Sequence, residues 1–355
     1  MSRRKLPTVG YLGGATGGSK YHQHVGRSYV NHKKYQKSRF VRHYHSHLSK
    51  KKHRPKGKHM NCKPKYKDGK RKTCYTPDLL RYIRDEYNKS HTAEEKIDSE
   101  DPVQIWHELS KRLVNCSKED CWLQEIKNFA EKERLTNAIF APKIERIWEN
   151  SLMTTMTIKS VMKPYECDKY PDFVFIGPTP IDYDSKPRDA LHEMCVTEEL
   201  CNFDLKKYLA KGKTKFGIVL NLDEHYKGGS HWTAMYVDAG GERPIVFYFD
   251  SQGLTYLKVD GFKHKKKNID RLIDMFVDQG KEAGIEFEVI QNKLVHQVKD
   301  TECGIYAMFF LITMLTGETE FDKNMTLDRK IELFTKHHIP DEYMTEYRYV
   351  YFNEK

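Results

Sequence analysis

The first 73 residues hold 22 lysines and arginines against a single acid, Asp68, so this stretch cannot supply a hydrophobic core. It carries +21, while the rest of the chain, with 39 bases and 49 acids, carries −10; together they give the formal +11. The segment has eight histidines, few aliphatic residues and no sustained period of either kind. It is predicted to be disordered when free, which confines folding to the residues that follow. Such an arm neutralises phosphates without reading base sequence, so nucleic acid is an expected partner of residues 1–73. A solubilising or targeting tail is the plainer alternative.

No run approaches the roughly 18 apolar residues a membrane span needs, and no apolar stretch follows the basic N-terminus as in a secretory signal. The eight cysteines, Cys62, Cys74, Cys116, Cys121, Cys167, Cys195, Cys201 and Cys303, are scattered without a dense framework. Free thiols in a reducing compartment are the expectation. Cys116 and Cys121 lack a second close pair of matching spacing, so neither a structural metal nor a cofactor is expected.

From Cys74 to about Asn150 the pattern is helical. Thr76-Pro77-Asp78 pairs a capping residue with a proline at the first helical position, and Leu79, Leu80, Ile83 and Tyr87 follow at helical spacing. Asp101-Pro102 opens a second helix carrying Ile105, Trp106, Leu109 and Leu113. A third is predicted from Lys118 through Trp122, Ile126 and Phe129. Beyond Ser151 strands appear: Asp172–Ile176, ended by Gly177-Pro178, then Phe216–Leu222, Trp232–Val237, Ile245–Phe249 and Ile285–Ile290. A helix is expected from about Lys267 to Gly280, and a strongly apolar one from Cys303 to about Leu315. Strands and helices mix without strict alternation, which gives an α+β class. The expected organisation is a basic arm at 1–73, a helical accessory module at 74–150 and a larger domain at 151–355.

Three short segments carry chemistry. Gly229-Ser230-His231-Trp232 and Phe249-Asp250-Ser251 flank Gly240-Gly241, and a two-residue turn there places His231 directly opposite Asp250. Directly opposed residues lie roughly 4.5–5.5 Å apart at Cβ, close enough for imidazole and carboxylate to bond. Pro244 limits pairing near the turn, and a longer loop would shift this register. In Asp300-Thr301-Glu302-Cys303-Gly304 a thiol opens the apolar helix, where the dipole and unpaired amides favour thiolate. Gly304 removes a Cβ where a substrate backbone would approach. Gln297, six residues before Cys303, offers an amide to a tetrahedral oxyanion, a role Gln291 could also fill. Each residue alone is unremarkable; the set points to a cysteine nucleophile with a histidine base.

These blocks, in the order His, Asp, Gln, Cys, resemble the His-Trp, Asp-Ser and Gln-x5-Cys-Gly motifs of the adenain and SUMO-protease superfamily over about residues 150–320. The resemblance implies a papain-like or adenain-like core, with a central mixed sheet and a buried helix starting at the nucleophile. It also implies His231 as base, Asp250 as its orienting acid, Gln297 in the oxyanion hole, Cys303 as nucleophile and Trp232 walling a narrow channel. Phe175-Ile176-Gly177-Pro178-Thr179-Pro180-Ile181-Asp182, Cys74–Leu80 and Glu119–Leu123 are similar to the maturation proteases of large DNA viruses, of the African swine fever virus and mimivirus type. Asp250 stands where the swine fever virus enzyme is thought to carry Asn. No Trp-Leu entry motif like that of SUMO proteases is evident near Leu152.

The implied activity is cleavage after Gly-Gly in structural polyproteins, in the virion or host cytoplasm, or alternatively the nucleus. Gly13-Gly14-Ala15 and Gly17-Gly18-Ser19 would then be self-processing sites. The alternatives are an isopeptidase for a ubiquitin-like modifier, an acetyltransferase of the same clan and a non-enzymatic genome-binding protein.

Overall fold

The computed structural model describes residues 56–67, 71–144, 151–187, 194–253 and 263–354. Local capping sets the first elements. α1 (Pro77–Ser90) starts where the Thr76 side chain accepts from the Leu79 N–H. α2 (Pro102–Arg112) starts where Asp101 accepts from Val103. Both have proline in the first turn, where its missing N–H costs nothing. The third predicted helix is corrected: Glu119–Glu125 is a 3-10 turn, and a separate α3 (Phe129–Ile139) is capped by Asn128. Phe129, placed on the apolar face from sequence, is 65% exposed.

These helices enclose a core of their own around Tyr75, Ile83, Ile105, Leu109, Trp122 and Ile139. The buried Glu119 carboxylate accepts from Trp106 Nε1 at 2.6 Å, and the Glu119 carbonyl accepts from the Tyr75 hydroxyl at 2.5 Å. Residues 56–67, counted with the basic arm in the sequence, pack here instead. Met60 is buried in this core, and Lys58 Nζ donates to the Ser110 and Leu113 carbonyls. Of the rest of that arm, residues 1–55, with both Gly-Gly pairs, and 68–70 lie outside the described residues.

The larger body is built on a five-stranded mixed sheet. Its strands are β2 (Phe173–Pro180), β3 (Lys215–Asn221), β4 (Trp232–Asp238), β5 (Ile245–Phe249) and β6 (Glu288–Gln291), in that spatial order. The outer pairs β2–β3 and β5–β6 are parallel, and the inner pairs are antiparallel. β2 does not stop at Gly177-Pro178. A bulge between Ile176 and Thr179 carries it on to Pro180, with Gly177 at φ +99 where a Cβ would meet the Val219 carbonyl oxygen at 2.9 Å.

The central strands are apolar at almost every position because both faces are covered. Phe175, Val219, Ala234, Tyr236 and Phe247 face α4 (Thr155–Met162) and α6 (Cys303–Thr316). Ile176, Ile218, Met235, Val237 and Tyr248 face α5 (Lys263–Glu282). α6 is apolar all round, as a helix sheathed in protein must be, and ends at Gly317 with φ +67. α7 (Leu327–Lys336) and α8 (Asp341–Tyr351) close over it.

A two-stranded parallel pair, β1 (Lys143–Ile144) with β7 (Asn353–Glu354), links the helical module to the end of the chain. Asn61 and Asn353 reinforce this join with reciprocal amide bonds of 2.9 and 3.0 Å.

The expectation of free thiols is corrected. Cys62–Cys74, Cys116–Cys121 and Cys195–Cys201 are disulfides, while Cys167 and Cys303 are free. Each bridge closes only 5 to 12 residues of chain, and a folded loop brings its ends together in a way spacing alone does not signal.

Candidate active site

The site lies where β4 begins, β5 ends and α6 starts. The hairpin between β4 and β5 is not the tight one read from Gly240-Gly241. Ala234 pairs with Phe249 and Asp238 with Ile245, a register two residues away from the predicted one. The cause is a six-residue loop wrapped on Asp238, whose carboxylate accepts from the Gly240 and Gly241 N–H groups at 3.1 and 3.2 Å. Extending the observed pairing sets Asp250 across from Thr233. His231 is then its diagonal neighbour on the same face, roughly 7–8 Å away along the backbone and within reach of two medium side chains. A shift of two preserves the face, so the side chains still meet: His231 Nε2 lies 2.8 Å from Asp250 Oδ1.

The carboxylate accepts, so Nε2 carries the proton, and Cys303 is the second group that acts on the same imidazole. Burial alone would push the imidazole down. The charge and hydrogen bond of Asp250, then those of Cys303, outweigh it and raise His231 to about 10.

His231 is aimed by the loop before it. Asn221 Oδ1 accepts from Asp223 and Ser230 N–H groups at 2.9 and 3.3 Å. Gly229, at φ +87, passes so close that a Cβ would sit 2.8 Å from the Asn221 amide nitrogen.

Asp250 is held by Asn292, a fully buried residue absent from the sequence reading. Its Oδ1 accepts from the Asp250 N–H at 2.8 Å, and its Nδ2 donates to the Asp250 carbonyl at 2.7 Å. Ser251 completes the clamp: its carbonyl accepts from the His296 and Gln297 backbone N–H groups.

The Gln297 side chain is fixed at both ends. Its Oε1 accepts from Ser251 Oγ at 2.6 Å, and its Nε2 donates one hydrogen to the Lys299 carbonyl at 2.5 Å. An amide nitrogen carries two hydrogens, so one remains beyond that bond. Gln291, the other candidate, lies in β6 and pairs with Tyr248. His296, beside Gln297, is buried and neutral. Nε2 donates to the Phe334 carbonyl, Nδ1 accepts from the Ile339 N–H, and burial pushes the ring down to about 3.

Cys303 is the first residue of α6 and is 3% exposed. Gly304 is a correction: a Cβ there would lie 2.6 Å from Met153 Cβ and 3.4 Å from Trp232 Cδ1, so the space belongs to Met153 rather than to a substrate backbone. Trp232, 9% exposed, donates from Nε1 to the Met153 carbonyl at 2.8 Å. Met153 therefore joins the tryptophan to the nucleophile helix, and no local pattern in the sequence marks it.

Behind Cys303, Glu302 and Arg348 form an ion pair at 3.0 Å with both side chains 0% exposed. Arg348 also donates to Ser151 Oγ and the Thr301 carbonyl, each at 3.1 Å.

No protein-family model matches the chain. Among curated proteins it is 26% identical over 283 residues to a protein of Acanthamoeba polyphaga mimivirus named as a thiol protease, covering 72% of this chain and 85% of the relative. Among solved structures the ASFV protease superposes with a TM-score of 0.54 at 18% identity, covering 83% of this chain and 96% of that one, which shows a shared fold. A SUMO protease domain in complex with the yeast ortholog of SUMO matches at a TM-score of 0.33 and 14% identity, over 56% of this chain and 77% of that one. With the mixed sheet, the buried helix and the order His231, Asp250, Gln297, Cys303, the chain shares the fold of the ASFV protease and is similar in sequence to the mimivirus protein.

Proposed function

We propose that this protein is an endopeptidase that cuts after Gly-Gly in structural polyproteins during virion maturation, with Cys303 as nucleophile. The observation that carries the reading is the buried imidazole of His231, bonded to Asp250 at 2.8 Å and acted on by Cys303 at the head of the apolar helix. The Cys303 sulfur attacks the scissile carbonyl carbon, and the carbonyl electrons move onto oxygen. The Cys303 backbone N–H, at a helix start and so without an intrahelical partner, and Gln297 Nε2 donate to that oxygen. The His231 imidazolium gives its proton to the departing amine as the C–N bond breaks. Water then attacks the thioester with His231 as base, releasing the acid and restoring the thiol. Asp250 holds the ring and stabilises its charge throughout.

Burial supports the Gly-Gly preference. Cys303, His231 and Trp232 are 3, 8 and 9% exposed, so a backbone without side chains approaches the sulfur most readily. The basic segment at the chain start would retain the enzyme on nucleic acid inside the virion, raising its concentration near substrate.

The test is mass mapping of peptides released from a capsid or core polyprotein by wild-type protein beside Cys303→Ala, with a ubiquitin-like-modifier fusion assayed in parallel. Cuts after Gly-Gly in the polyprotein, absent with Cys303→Ala, are expected. Turnover of the modifier fusion alone would make the protein a deconjugase. Acetyl-CoA consumption without peptide release would make it a transferase.

A further inference from the structure

Residues 292–302, which carry Gln297 into α6, form neither helix nor strand, so the aim of the Gln297 amide depends on side-chain anchors. One anchor is Asp341, the first residue of α8 and only 4% exposed. An acid in a first turn ordinarily serves the free amides of its own helix. Asp341 is turned across the fold instead: Oδ2 accepts from the Lys299 and Val298 N–H groups, 42 and 43 residues away, at 2.8 and 2.9 Å. Oδ1 accepts from the Tyr306 hydroxyl of α6 at 3.2 Å, a hydrogen shared with the Ile339 carbonyl at 2.8 Å. The two amides belong to the peptide units that link Gln297 to Lys299. The Lys299 carbonyl is the group that receives one hydrogen of Gln297 Nε2 at 2.5 Å, while Ser251 Oγ holds Oε1 from the other side. Thr345 and Arg348, one and two turns along the same face of α8, reach Glu302 and the Thr301 carbonyl.

We propose that Asp341 is a positioning residue for the reaction: by fixing both peptide units between Gln297 and Lys299, it sets where the remaining hydrogen of Gln297 Nε2 points. The inference rests on the reading of Gln297 as the oxyanion donor. A hydrogen bond weakens steeply once its angle falls below about 120°, so a donor on an irregular loop is useful only if that loop is pinned. A carboxylate suits the task, because one oxygen can accept two bonds and its bonds to N–H groups are charge-assisted. Among the described residues Asp341 has no hydrogen bond to His231 or Cys303. Its loss therefore falls on the step that forms the oxyanion and spares the reactivity of the thiol. Misplacing a group by about 1 Å in such a step can cost on the order of 10²-fold.

The experiment compares the full chain as wild type, Asp341→Ala, Asp341→Asn, Gln297→Ala and the Asp341→Ala/Gln297→Ala pair. Turnover of a fluorogenic peptide ending in Gly-Gly gives kcat and KM. Iodoacetamide alkylation, read at Cys303 by peptide mass because Cys167 is also free, reports the thiol alone, since displacement at a saturated carbon makes no oxyanion. Asp341→Ala should lose about tenfold or more in kcat, with KM and Cys303 alkylation within about threefold of wild type. The paired variant should lose no more than Gln297→Ala by itself. Asp341→Asn should recover most of the loss, because its amide oxygen still accepts from both N–H groups while its Nδ2 donates to the Tyr306 oxygen. Asp341→Ser, which keeps one polar contact, replaces alanine if that variant does not fold and should show the same split. Losses that multiply in the paired variant, or alkylation that falls in step with kcat, overturn the proposal and leave Asp341 a residue of stability alone. Gln297→Ala with wild-type kcat would instead refute the oxyanion reading itself, and with it any part for Asp341 in aiming that amide.

Discussion

Arg348→Met is the sharpest test of how the nucleophile is held. The substitution keeps an apolar stem of similar length and leaves the Glu302 carboxylate buried without its cation. Removing one member of a buried pair costs about 3–5 kcal/mol, because the remaining charge is neither solvated nor compensated. Two further contacts vanish, to Ser151 Oγ and to the Thr301 carbonyl, so the loop entering α6 loses its anchor.

The pH dependence has a definite sign. Burial already raises the Glu302 carboxyl despite the opposing pull of Arg348, and without Arg348 it rises further. The folded state would then hold a proton that the unfolded chain releases above about pH 4.5, so stability falls as pH increases. Urea denaturation should show a larger deficit at pH 7.5 than at pH 5.5. Glu302→Gln added to Arg348→Met should recover about 2 kcal/mol by removing the stranded charge. A single variant within about 1 kcal/mol of wild type, or a double variant no more stable than the single, would refute this reasoning.

Other substitutions probe the chemistry directly. Asp250→Asn removes the main group raising His231, so the alkaline limb of the activity profile, expected near 10 from the imidazolium, should move to lower pH while kcat/KM falls roughly 10²–10⁴-fold; an unmoved limb would assign it to another group. Gln297→Ala should lower kcat about 10²–10³-fold with little change in KM if its amide meets the oxyanion only in the transition state; an equal loss in substrate affinity would place the amide in ground-state binding. Gly304→Ala should destabilise by about 1–3 kcal/mol through collision with Met153 and slow alkylation of Cys303, and Met153→Ala in that background should restore part of both. A Gly304→Ala protein with wild-type stability would show that Met153 moves aside freely.

The helical module illustrates what local sequence makes legible. Thr76 and Asp101 cap the helices that their sequence context predicts, because an N-cap bond spans only two or three residues. The central strands are equally readable: Phe216–Asn221 and Ile245–Phe249 are largely apolar runs, and such runs must be covered on both faces.

The meeting of His231 with Asp250 is legible for a subtler reason. Strand periodicity is two, so a register wrong by two still puts both side chains on one face. The loop length itself is not legible, because Asp238 stabilises the six-residue form through a carboxylate whose orientation no spacing rule gives.

What the sequence by itself determined, then, is the first two capped helices, the central strands and a thiol placed at the head of an apolar helix, since capping and periodicity act over a few residues. The tertiary structure alone decided that Asn292 grips Asp250 across 42 residues, that Arg348 reaches Glu302 across 46, and that Met153 fills the space beside Gly304. It also decided which cysteines pair. These contacts depend on how completed elements dock, and docking is set by the packing of whole faces rather than by any local signal.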